Sequence, residues 1–134
     1  RWLGGTPGIP ALYAATEGPR IVRRAGIEAI RAKSIRQTTR LIELADARGY
    51  PVTAPRDANR RGGTVAFDVP HGADVAAELL ARDVVIDYRP GAGIRVAPHF
   101  YTTDAEVERL VHEVDDILAT DAWRKHEGAR RVVT

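Results

Sequence analysis

The sequence predicts an α+β domain, with a small, mostly antiparallel sheet of three to four short strands and helices packed on one side. Three observations lead there. Apolar spacing switches between helical and strand periods in the order helix, helix, strand, strand, helix, strand, strand, helix. The strand segments are short and bounded by Gly and Pro. With 134 residues, the chain has too few strands to need helices on both faces, as a doubly wound parallel sheet would.

The Gly4-Gly5-Thr6-Pro7 turn precedes a helix-like run, for which Pro10 suits a first helical position. The run covers Ala11 to Arg24, is weakened by Gly18-Pro19, and breaks at Gly26. The clearest helix follows. Ile27, Ile30, Ser34, Ile35, Thr38, Leu41, Ile42 and Ala45 share one face, Arg31, Arg36, Arg40 and Glu43 fall elsewhere, and Gly49 ends it. Pro51 to Pro55 reads as a proline-bounded edge strand, and Arg56 to Gly63 as a solvated basic loop. Thr64 to Val69 alternates as a strand, and Pro70-His71-Gly72 turns the chain. Asp74 to Arg82 is a short helix with Val75, Leu79 and Leu80 inward. Val84 to Tyr88 and Ile94 to Ala97 are the last two strands. Thr103 caps the final helix with Glu106 three residues on, in capping-box spacing. Its stripe is Val107, Leu110, Val111, Val114, Ile117 and Leu118, and residues 124–134 form a loosely held tail.

Composition narrows the function classes. The chain has no cysteine, which removes disulfides, thiolate catalysis and cysteine metal sites. The four histidines show no metal-ligand spacing, and no Ser-His-Asp or paired-carboxylate arrangement emerges. Twenty basic residues against eighteen acidic ones, mixed along the chain, and a basic loop of Arg56, Arg60 and Arg61 with no interleaved aromatic argue against nucleic acid. No apolar run approaches the ~18 residues of a membrane span, and no secretory leader is visible, so a cytoplasmic protein is the simplest reading. There is no methionine at all, and the expectation is a single domain that is a piece of a larger protein.

Arg95 is the leading candidate for chemistry. Ile94 and Val96 point to one face of the strand, and Arg95 to the other. A solvated strand arginine and a bidentate carboxylate clamp both fit this position. The Gly91-Ala92-Gly93 turn beside it lets another backbone or a ligand come close. His99 follows Pro98 and is a candidate for the same pocket. Gly5 and Thr6 form a second candidate, as an anion seat before a helix or as an ordinary helix start. No Gly-Lys-Ser/Thr phosphate loop occurs.

Four segments together resemble the C-terminal part of kynureninase. They are Gly5-Thr6-Pro7-Gly8-Ile9-Pro10-Ala11-Leu12, Ile30-Arg31-Ala32-Lys33-Ser34-Ile35, Arg61-Gly62-Gly63-Thr64-Val65, and Asp87-Tyr88-Arg89-Pro90 with Gly93-Ile94-Arg95-Val96-Ala97-Pro98 and Tyr101. The likeness runs from about Leu3 to Leu118. It implies the small domain of the aspartate aminotransferase fold, in a homodimeric, pyridoxal-phosphate-dependent hydrolase that converts kynurenine to anthranilate and alanine. It further implies that Arg95 binds the substrate's α-carboxylate. Thr6, with Gly5, would meet the cofactor phosphate from the neighbouring subunit. Two departures stand out. His99-Phe100-Tyr101 replaces the family's usual Pro-Leu-Tyr. The Schiff-base lysine is also missing, since Lys33 is mid-helix and Lys125 is in the tail, which points to a large domain outside this chain and to an inactive fragment. The alternatives are the small domain of another class V enzyme (an aminotransferase, lyase or epimerase) or a stand-alone ligand- or partner-binding module. A cysteine desulfurase would normally carry a catalytic cysteine in this region, and this chain has none.

Overall fold

The computed structural model describes Gly5 and residues 8–128. The chain divides into two compact units at the Lys33–Ser34 boundary. The first carries α1 (Ile9–Ala14), α2 (Glu17–Ala25) and the opening turns of α3 (Ile27–Asp46). The run expected as one helix is thus two, broken at Ala15 and Thr16. Pro19 explains the break. It has no N–H to give the Ala15 carbonyl, and in the first turn of a new helix that loss costs nothing. Gly26 closes α2 at a φ of 83° that side-chain-bearing residues rarely adopt, and its N–H donates to the Val22 carbonyl at 3.0 Å. No side chain of α1 or α2 is buried.

The second unit holds the core. After α3 come β1 (Val65–Phe67), α4 (Gly72–Ala81), β2 (Asp87–Arg89), β3 (Gly93–Val96), α5 (Asp104–Ala119) and a closing 3₁₀ turn, Ala122–His126. The sheet is antiparallel throughout, in the order β1-β3-β2. Its inner face presents Val65, Phe67, Ile94 and Val96, all buried, to Leu41, Ile42 and Ala45 of α3, Val75 and Leu79 of α4, and the α5 stripe. The α+β architecture with helices gathered over one sheet face is therefore present. The α5 stripe is as expected, and its capping box forms in both directions: Glu106 N–H to Thr103 Oγ1 at 3.2 Å, and Thr103 N–H to Glu106 Oε2 at 2.7 Å. Arg36–Asp104 and Arg40–Glu108 ion pairs, followed by Arg48 just past α3 with Asp115, show α3 and α5 side by side and running the same way.

Several expectations are corrected. Residues 51–55 form no full strand: Val52 makes one bridge to Phe67, with backbone bonds from Thr53 and Asp68 on either side. The flanking prolines remove the donors a longer ladder needs. The strand expected over residues 84–88 is shifted to Asp87–Arg89, and Val85 is 82% exposed. Val84 instead gives its N–H to the Leu79 carbonyl, so it still belongs to the end of α4. Leu80 is not inward but 60% exposed. At five residues past Val75 it is turned about 140° around the helix, and buried Glu78 occupies the inward position instead. Arg61 is not solvated either, being only 4% exposed. Its guanidinium donates to the carbonyls of Pro55 and Arg56 and to the hydroxyls of Thr38 and Thr39, which fastens the 56–63 loop to α3. Past Trp123, itself buried, the tail is held as far as His126, because Lys125 and His126 both bind Glu78.

Candidate functional site

Arg95 sits on the middle strand, and the register fixes its surroundings. Ala66 of β1 lies opposite it on one flank and Asp87 of β2 on the other. Because Ile94 and Val96 fill the core, this row of Ala66, Arg95 and Asp87 belongs to the outer face of the sheet. The β2–β3 turn that sets the register depends on glycine. Gly91 and Gly93 take φ values of 79° and 85°. Gly93 also lies so close to the β1 backbone that a Cβ there would collide with the Phe67 carbonyl. The close approach expected at this turn is thus made by a neighbouring strand.

The Arg95 side chain is 39% exposed, and its Nη2 forms an ion pair with Asp87 Oδ2. The same Oδ2 accepts from Arg89 Nε at 3.4 Å. Partial desolvation raises the Asp87 pKa, but the hydrogen bond and charge of Arg95, with those of Arg89, outweigh it and hold the carboxyl below its ordinary range. Arg95 Nε is shut off from solvent and has no hydrogen-bond partner among the described residues. The Nε edge of the guanidinium is therefore covered.

His99 is not part of this row. Its ring packs on Phe100 and Tyr101, at centroid distances of 4.5 and 4.2 Å, and its backbone N–H donates to Thr102 Oγ1. A hollow of about 230 Å³ opens nearby, lined by Val85, Ile86, Pro98, Thr102, Glu106 and Arg109 among others, and neither Arg95 nor His99 borders it. Gly5 is exposed in a bend, and a Cβ there would meet nothing within 4 Å. Thr6 lies outside the described residues. Among those residues, no group of three or more His, Asp or Glu side chains is arranged to hold a metal ion. No helix there is long and apolar enough to cross a membrane.

Sequence reading missed two groups. Asp87 is one, although pairing a hairpin about Gly91 would have set residue 87 opposite 95. The other is the Glu78 cluster. Glu78, 5% exposed, receives bonds from His126 at 2.8 Å, Lys125 at 3.1 Å and Arg82 at 3.2 Å. Arg82 also pairs with Glu113 and Asp116. The His126 bond, then those of Lys125 and Arg82, outweigh burial and pull the Glu78 pKa down to about 2. No sequence periodicity reveals this cluster, because it joins α4, α5 and the closing turn.

The model of the kynureninase C-terminal domain family matches residues 30–114, a span holding all three strands and the whole Ala66–Arg95–Asp87 row. The chain belongs to the kynureninase C-terminal domain family. A kynureninase of Burkholderia mallei is 35% identical over 136 residues, covering 98% of this chain and 33% of the relative. One of Bacillus thuringiensis subsp. konkukian is 30% identical over 134 residues, covering 96% and 31%. The chain thus spans about a third of the length of the curated relatives it matches. Among solved structures, the apo cysteine desulfurase of Thermococcus onnurineus NA1 superposes with a TM-score of 0.80 at 25% identity, over 90% of this chain and 34% of that one. A NifS-like protein, at 0.74 and 17% identity over 87% and 35%, shares the fold. The kynureninase domain is accordingly a part of a larger protein in these relatives, with the greater share of their length outside it.

Proposed function

We propose that this kynureninase domain serves a pyridoxal-phosphate-dependent hydrolase that cleaves kynurenine to anthranilate and alanine, and that it grips the substrate's α-carboxylate with Arg95. The observation that carries the reading is Arg95 itself. It is a permanently charged planar fork on the outer face of the sheet, inside the segment that matches the family, held among the described residues through Nη2 by Asp87. Fixing the carboxylate orients the rest of the amino acid for reaction.

The described residues do not fit a complete cofactor site. Lys125 Nζ is engaged by buried Glu78, and Lys33 lies within α3. The covalent anchor and the acid that holds the pyridine nitrogen are therefore assigned to the large domain outside this chain. Pyridoxal phosphate, when bound, supplies the electron sink for the cleavage. This domain would contribute Gly5 and Thr6 to hold the cofactor phosphate from the neighbouring subunit of a cytoplasmic homodimer, as the resemblance of the Gly5-Thr6-Pro7-Gly8 segment implies. A second reading, a related class V enzyme acting on a different amino acid, is favoured by the His99-Phe100-Tyr101 cluster, where kynureninases usually have Pro-Leu-Tyr.

The test uses the full-length protein. Kynurenine hydrolysis is expected, with Arg95→Ala raising KM by about 10- to 100-fold, the loss of one charge-assisted carboxylate contact. An unchanged KM refutes the clamp, and hydrolysis of another amino acid in a substrate panel moves the reading to the second enzyme. The 134-residue chain alone is expected to give no absorbance change or borohydride-trapped adduct with pyridoxal phosphate.

A further inference from the structure

We infer that Asp87 is a positioning residue for substrate binding: it holds the Arg95 guanidinium, through Nη2, in the orientation that receives the α-carboxylate. The inference rests on the reading of Arg95 as the carboxylate clamp.

Four observations support it. Asp87 and Arg95 are directly opposed in the β2–β3 register, so the two side chains rise from the same face side by side. Asp87 Oδ2 takes Arg95 Nη2 and is itself tied to Arg89 Nε, so the carboxylate is held from both strands. Arg95 Nε is covered and unpartnered among the described residues, which leaves the distal end of the fork as the working end. On the other flank, the residue opposite Arg95 is Ala66, whose methyl group leaves room beside the guanidinium.

An arginine on an open sheet face has several freely rotating bonds, and ordering them on binding weakens a ligand's grip. A fixed acid on one flank removes part of that cost in advance. It does so without cancelling the attraction, because Arg95, Asp87 and Arg89 together carry one net positive charge. The opposite arrangement, an internal carboxylate that the substrate has to displace, predicts the opposite sign when Asp87 is removed.

The experiment compares kynurenine with kynuramine, the same molecule without its α-carboxylate, on the full-length holoenzyme. Asp87→Ala is expected to raise the KM for kynurenine about tenfold while the inhibition constant of kynuramine stays within about twofold. Asp87→Asn keeps an acceptor oxygen opposite Arg95 and is expected to recover part of the loss, about a threefold rise; it also decides the matter if the alanine variant does not fold. In an Arg95→Ala background, Asp87→Ala is expected to have no further effect on kynurenine. A lower or unchanged KM in the single variants overturns the inference, as does a parallel loss of kynuramine binding, which marks a merely structural ion pair. If Arg95→Ala raises KM and Asp87→Ala does not, only the positioning role fails. If Arg95→Ala itself leaves KM unchanged, the clamp reading fails and the positioning role falls with it.

Discussion

Replacing Glu78 by glutamine removes one charge from a largely enclosed ionic cluster while keeping the side chain's shape. Glu78 is 5% exposed, accepts from Arg82 and Lys125, and shares a hydrogen bond with the His126 ring. Lys125, 67% exposed, adds little, since screening leaves exposed pairs well under about 1 kcal/mol. Arg82 and His126, about a quarter exposed, make charge-assisted bonds in the range of about 1.5–3 kcal/mol each, weakened by that exposure. An amide accepts weaker bonds and leaves Arg82 with Glu113 and Asp116, so the expected loss is about 2–3 kcal/mol. Urea unfolding of the chain followed by far-ultraviolet circular dichroism reads this at pH 7. Acid gives a second signature. Glu78 falls from its ordinary 4.5 to about 2 in the folded state, so between those values the unfolded chain binds more protons. The stabilisation is complete above about pH 4.5 and drains as pH falls towards 2. The glutamine variant should lack that part of the acid slope. A loss below about 0.5 kcal/mol at pH 7, or equal acid slopes in the two proteins, would refute the argument, because a buried carboxylate with such partners has to show both.

Gly93→Ala is expected to destabilise the domain by about 2–4 kcal/mol in the same urea assay, since the new methyl group both strains a φ of 85° and meets the Phe67 carbonyl. Gly91→Ala, at a similar φ but with open space around it, should cost only about 1 kcal/mol. Tyr50 is expected to ionise only at about pH 12 in an ultraviolet titration, because burial, then the charge and hydrogen-bonded carboxylate of Asp115, disfavour the phenolate. Asp115→Asn should bring that midpoint down.

Local rules account well for the elements whose signals are local. The α5 stripe and its Thr103–Glu106 box, the Gly26 and Gly49 helix ends, and the alternation of β1 all read from the chain, because each depends on neighbours a few residues away. The misplaced residues fail for a shared reason. Leu80 and Val85 are strongly apolar yet exposed, and Arg61 and Glu78 are charged yet buried. In each case a distant element sets the surroundings, whether hydroxyls on α3 for Arg61 or the closing turn for Glu78. Ala11 to Arg24 was legible as helical, but the point of division depended on which turn absorbed Pro19.

The amino-acid sequence by itself determined the α+β class and the kinds and order of most elements, because periodicity, caps and turn glycines act over a few residues, and it offered Arg95 as a candidate. It also carried the family, through motifs spread from the Gly5 turn to the β3 strand. Only the tertiary structure decided what surrounds Arg95: Ala66 on one flank, Asp87 on the other, and an inner edge closed to solvent. Those neighbours come from two other strands, and the free energy of pairing them depends on burying Val65, Phe67, Ile94 and Val96 against three helices at once. That burial is a property of the assembled domain, which no single segment contains.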